Sequence, residues 1–180
     1  MADHTSKTPL EHRDSWRTPP ALFAYFNRRF NFKADIAASQ HNALCDMFYS
    51  EENSALDQDW QVAPGSYVWC NPPYSDIGPW IKQIKQQNRR GIGCAMLVPQ
   101  DQSVGWFKEA IKSAATNIII TGGRIAFINA ATGKAVGGNN KGSQVIVWSP
   151  YNDTPIATQY IDRDMILSTG NKIIEARSAA

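Results

Sequence analysis

Apolar residues along the chain follow a helical rhythm in some stretches and unbroken runs in others. Leu22, Phe23, Phe26 and Phe30 recur at intervals of three and four, which predicts an amphipathic helix over residues 19–29. Thr18 is placed to cap that helix, with Pro19 or Pro20 at its first turn. Arg28 and Arg29 close it at the negative end of the helix dipole. Phe32 to Ile36 predicts a short strand, and residues 40–50 a short helix or loop. Tyr67 to Cys70 predicts a second strand, fed by a Pro64-Gly65 turn. Ile77, Trp80, Ile81 and Ile84 predict a helix over 77–89, capped by Ser75 or Asp76, with Lys82, Lys85, Arg89 and Arg90 on its wet side. Ile92 to Val98 is continuously apolar, as in a parallel strand covered on both faces. A helix over 103–115 carries Trp106, Phe107, Ala110 and Ile111, and Asn117 to Thr121 predicts another buried strand.

Strands and helices thus alternate, which predicts an α/β fold with a mostly parallel sheet. The last third changes style. Arg124 to Ile128 and Gln144 to Trp148 read as strands on either side of Gly137-Gly138-Asn139-Asn140-Lys141-Gly142, the pattern of an antiparallel hairpin. Residues 152–180 carry weaker signals, with a helix near 161–167 and a polar tail. The expected division is a flexible arm over 1–14, in which His12 and Arg13 could touch a partner, one domain over 15–150, and a partly flexible extension over 151–180.

Composition changes this picture little. A chain of 180 residues with 43% hydrophobic and 19% charged residues suits one soluble domain with a real core. A net charge of +2 names no partner. Three dispersed cysteines (Cys45, Cys70, Cys94) and three histidines (His4, His12, His41) offer no metal-ligand spacing, so no metal is expected and the thiols read as reduced. The polar first residues carry no secretory pattern, and no run reaches the length of a membrane span.

The chemistry concentrates in Val68-Trp69-Cys70-Asn71-Pro72-Pro73-Tyr74. Two prolines remove two donors and stiffen the chain, and the residue before each is held extended. A rigid amide followed by an aromatic ring, placed at the carboxyl end of a strand, suits the edge and face of a flat heterocycle. The tetrapeptide resembles the catalytic motif of amino methyltransferases that use S-adenosylmethionine. A wider set of segments is similar to one family, the phage-type DNA N-6-adenine methyltransferases. These are Trp16-Arg17-Thr18-Pro19, Asp35 to Ser39, Asn42-Ala43-Leu44-Cys45, Leu56 with Trp60, Trp69 to Ser75, and Gly123-Arg124-Ile125-Ala126-Phe127.

The resemblance implies a Rossmann-like methyltransferase domain, S-adenosyl-L-methionine as cofactor, double-stranded DNA as partner, and a phage or prophage origin with action in the cytoplasm of a bacterial host, as in restriction-modification. It implies that Asn71 and Pro72 accept hydrogen bonds from the amine of a flipped adenine, with Pro73 stiffening the turn and Tyr74 stacking on the base. It implies a cofactor site from Trp16, Thr18, Pro19, Asp35, Ala37 and Ser39, with Asp57 as the acid toward the ribose or adenine and Asp59 its rival. The first glycine in the chain is Gly65, so Ala37, Ala38 and Ser39 stand where such enzymes often carry glycines. Cys70 reads as a buried small hydrophobe rather than a nucleophile. Between Ser103 and Val145 the cations Lys108, Lys112, Arg124, Lys134 and Lys141 face one acid, Glu109. Arg124, Asn139, Asn140 and Lys141 are therefore the expected DNA contacts. Methylation of RNA bases or of protein glutamine, and a DNA-binding module without turnover, are the alternatives.

Overall fold

The computed structural model describes residues 16–129, 132–137 and 140–179. The arm with His4, His12 and Arg13, and the loop residue Asn139, lie outside these. Nine strands and four helices are formed among the described residues. They are β1 (Trp16–Arg17), α1 (Pro20–Phe30), β2 (Ala34–Asp35), β3 (Tyr67–Cys70), α2 (Gly78–Arg89), β4 (Gly93–Pro99), α3 (Gly105–Ala110), β5 (Thr116–Thr121), β6 (Phe127–Asn129), β7 (Ala135–Val136), β8 (Ser143–Trp148), β9 (Ala157–Asp162) and α4 (Arg163–Ser178).

Six strands form the central sheet in the order β2-β3-β4-β8-β5-β9. The pairs β2–β3, β3–β4 and β5–β9 are parallel, and β8 runs antiparallel to both its neighbours. Strand alternation sends successive side chains to opposite faces. Val68 and Cys70 therefore pack in one core with Ile81, Ile84 and Phe107 of α2 and α3. Trp69 packs in the other with Leu22, Phe23 and Phe26 of α1 and Ile166 of α4. The result is a three-layer α/β/α domain, as the alternating pattern predicts.

Several elements differ from expectation. The predicted hairpin does not form: β8 enters the main sheet between β4 and β5, while β6 joins a small antiparallel sheet, β1-β6-β7. Every residue of β8 is buried, a burial that a surface hairpin cannot provide. The segment after residue 150 is no loose extension. β9 pairs with β5 along six residues, and α4 packs against α1. Asp162 caps α4, accepting from the Met165 amide at 3.0 Å. Thr18 caps nothing; Pro19 occupies the N-cap of α1 without a side-chain bond, and Thr18 is buried instead. Ile77, not Ser75 or Asp76, precedes α2, again without a side-chain cap. Helix α3 spans six residues and gives way to a turn near Ile111, so the apolar stripe ends earlier than its spacing suggests. Residues 40–50 form turns, with Phe48 bridging Asp35 in parallel.

The strand that carries the Asn-Pro-Pro-Tyr turn has a rigid backing. The Trp69 ring lies 5.3 to 6.2 Å from the rings of Phe32, Phe23 and Phe26. On the opposite face Gln83 and Gln87 of α2 are buried, and their amides hold the carbonyls of Ala55 and Gln58 and the Asp59 carboxylate. Such satisfied buried polar groups fix one arrangement of the 54–60 segment.

Candidate active site

The parallel strands put their carboxyl ends on one edge of the sheet, where ligands of open α/β sheets bind. Asp35 ends β2, Asn71 follows β3, Gln100 and Asp101 follow β4, and Gly122 to Arg124 follow β5. β8 runs the other way, so its entry loop, with Lys141, reaches the same edge.

Asn71 is half-buried, and its Nδ2 donates to the Trp16 carbonyl at 3.2 Å. That bond fixes the orientation of the carboxamide. It leaves Oδ1 as the acceptor, followed by two prolines with no N–H to compete for a ligand. Trp16 is itself held by β6, opposite Asn129. The small sheet thus straps the N-terminal segment across the end of β3. The Tyr74 ring meets Phe127 of β6 edge-on at 6.2 Å. Its hydroxyl is buried with no partner among the described residues, and burial pushes its pKa well above the ordinary value. Trp16, Asn71, Tyr74 and Phe127 are therefore one cluster drawn from three distant parts of the chain.

Asp35 sits beside Trp69 in the parallel register, at the start of the same edge. Its residue is 3% exposed. Oδ1 accepts from the Ala37 amide at 3.3 Å and Oδ2 from the Leu44 amide at 3.2 Å. Burial outweighs both bonds and raises its pKa to about 6. The segment after it keeps its donors to itself. Ala38 N–H bonds Tyr49 O at 3.0 Å, and Ser39 N–H bonds Asn42 Oδ1 at 2.6 Å. No residue from 35 to 39 has a positive φ. The glycines absent from the sequence are therefore not needed for this turn. A segment without spare N–H groups is no phosphate cradle, whereas a buried acid waiting for a cation suits a zwitterionic, phosphate-free ligand. S-adenosylmethionine fits that donor set.

Other expected site residues fare differently. Ala37 and Ser39 are half-buried within this segment, and Pro19 with Thr18 joins β1 to α1. Asp57 is exposed on a turn docked against α2, and no bond among the described residues links its carboxylate to Asp35 or Asn71. Asp59 is committed to Arg90 at 3.3 Å and to Gln87 at 3.0 Å. Cys70 is fully buried next to Cys94, and burial drives its thiol pKa up, which removes any thiolate. Lys141 pairs with Asp101, whose carboxyl that contact and Ser103 lower to about 2. Asn140 and Lys141 are exposed, and Arg124 is exposed with its carbonyl accepting from Arg163 at 3.3 Å. Phe127 and Asp101 were not singled out from sequence. Phe127 carried a signal, because it closes the Gly-Arg-Ile-Ala-Phe segment; Asp101 carried none.

Two phage proteins named DNA N-6-adenine-methyltransferase are similar to this chain. The one from Escherichia phage T1 is 37% identical over 172 residues, covering 87% of this chain and 71% of the relative. The one from Haemophilus phage HP1 (strain HP1c1) is 35% identical over 148 residues, covering 81% of this chain and 84% of the relative. A sequence model of the family described as DNA N-6-adenine-methyltransferase (Dam) matches residues 5–173, which takes in the strap, the Asn-Pro-Pro-Tyr turn, β9 and most of α4. The chain belongs to the DNA N-6-adenine-methyltransferase (Dam) family.

Proposed function

We propose that this chain transfers a methyl group from S-adenosylmethionine to the exocyclic N6 of an adenine flipped out of double-stranded DNA, in the cytoplasm of a phage-infected or lysogenic host. The observation that carries the reading is the locked Asn71 carboxamide, with Nδ2 held by Trp16 and Oδ1 left to accept. The cofactor, when bound, supplies an electrophilic methyl group on a sulfonium. Asp35 would take its cationic end, with Trp16, Thr18, Pro19, Ala37 and Ser39 around it. Asp57, exposed on its separate turn, is proposed for the ribose or adenine end.

Asn71 Oδ1 and the Pro72 carbonyl accept from the two N6 hydrogens, which keeps the nitrogen lone pair off the ring and aims it. Pro73 holds the turn rigid, and Tyr74, with its ring plane set by Phe127, stacks on the base. Positioning then accounts for much of the rate, because no covalent enzyme intermediate is involved. Arg124, Asn140 and Lys141 on the same edge, together with Asn139, are proposed for the DNA backbone and groove. Lys141 would exchange Asp101 for a phosphate. A modification role in a restriction-modification setting is part of the same proposal. The test is incubation with labelled cofactor and unmethylated DNA. Label in N6-methyladenine is expected; label found in RNA or protein and never in DNA adenine overturns the reading.

A further inference from the structure

Helix α3 is too short to cover the sheet face beside it. Past its end, β5 and the edge strand β9 stay open, with Asn117 opposite Thr158 and Ile119 opposite Tyr160. The groove there encloses about 520 Å³, a volume typical of small-ligand sites. Its lining holds carboxamides (Gln100, Gln102, Asn117), hydroxyls (Thr158, Tyr160) and an apolar floor around Ile119, and no charged side chain among the described residues. Asn117 is 4% exposed, and its Oδ1, closed to solvent, has no hydrogen-bond partner among the described residues. A buried acceptor left unpaired costs free energy unless a ligand supplies the donor. Tyr160 is the reverse case, an aromatic ring 71% exposed on the rim. Gln102 is held in place, donating to Gln144 Oε1 at 3.1 Å, and Gln144 donates in turn to the Pro99 carbonyl at 3.1 Å.

An uncharged groove repels neither face of a neutral ring but offers nothing to a phosphate. Carboxamides that pair with a donor–acceptor edge, beside an aromatic face, are the chemistry that recognises a nucleobase. We propose that this groove is a second base-binding subsite, which takes an unstacked DNA base bearing an exocyclic amine, the amine donating to Asn117 Oδ1 and the ring lying on Tyr160. The proposal rests on DNA being the substrate. Gln100 and Gln102 follow β4 at the edge that carries Asn71. β3 and β5 are three strand spacings apart, about 14 Å, so one bound DNA reaches both places.

The test uses the full-length protein and a duplex containing its methylated sequence, found by sequencing methylated plasmid. Each base around the target adenine is replaced in turn by an abasic residue. Affinity is measured by anisotropy for the wild type, Asn117→Ala and Tyr160→Ala. For the wild type, one abasic position apart from the target adenine is expected to weaken binding about tenfold. Each variant should lose a similar factor on intact DNA and nothing further on that abasic duplex. Losses that multiply at every position overturn the subsite. So does wild-type affinity in both variants, and so does a change in oligomeric state with DNA binding untouched, which makes the groove an interface between copies. Tyr160 is exposed, so its variant reports on the groove even where Asn117→Ala melts early. A wild type that never methylates DNA adenine defeats the functional reading instead; methylation with multiplying losses defeats only the subsite.

Discussion

At the scale of single residues, the proposed function gives Asn71 and Asp35 separable duties. In the proposed reaction Asn71 faces the base, so Asn71→Ala should lower kcat by about 10²–10³-fold, the loss seen when one preorganised transition-state contact goes. Cofactor affinity by calorimetry should stay within a few-fold; an equal fall in both would place Asn71 in the cofactor pocket. Asp35 reports through pH. Its folded pKa of about 6 lies above the ordinary 3.8 because burial disfavours the carboxylate. The folded chain therefore holds a proton that the unfolded chain has released. Stability from this group is full below about pH 4 and is lost as pH rises through 6, a difference of about 3 kcal/mol. A bound cation favours the carboxylate, so cofactor affinity should rise over the same window. Thermal melts from pH 4 to 7, with and without S-adenosylmethionine, should show the gain in melting temperature growing with pH. A gain that is flat across this range would remove Asp35 from the cofactor's charged end.

At the scale of elements, periodicity located what it governs and failed where tertiary contacts decide. The aromatic stripe of α1 and the four residues of β3 came out of spacing because burial of one face requires it. The pairing of β8 did not, because an apolar strand fits equally beside a hairpin partner or inside a sheet until its neighbours are known. Asn71 and Tyr74 were legible from the rigid turn, but the Trp16 carbonyl that orients Asn71 lies 55 residues away and has no local signature. The sequence predicts a helix only near 161–167, short of the full α4, because the apolar stripe beyond it is sparse. What holds α4 is Gly170, where an added Cβ would stand 1.9 Å from the Ala21 carbonyl oxygen. Helix backbones meet at that glycine, so Gly170→Val must push α4 off α1. The expected loss is about 2–3 kcal/mol, the scale of overpacking a tight contact, read from urea unfolding. A loss under half of that would mean the helices slide apart without cost.

At the scale of the whole molecule, the chain from 151 onward completes the domain. Composition suggested the opposite, since residues after 150 are polar and interrupted by Asn152, Asp153 and Pro155. That polarity belongs to an edge strand and to the outer side of a helix, while Ile166 and Ile173 are buried at 0% and 8% exposure. Removing residues 151–180 would forfeit about 2 kcal/mol for each of those two side chains. It would also strip the six-residue ladder from β5 and uncover the side of α1 where Ala21 meets Gly170. Set against a total stability of about 5–15 kcal/mol for a domain of this kind, losses on that scale leave little margin. A chain ending at Pro150 should show no cooperative thermal transition and no cofactor binding, although every residue of the proposed catalytic turn is present. The fault would be one of support: α1 follows directly on the Trp16–Pro19 strap, and the strap's carbonyl holds Asn71. If the truncated chain instead melts cooperatively and still methylates DNA, then β9 and α4 are an addition to a domain that stands without them.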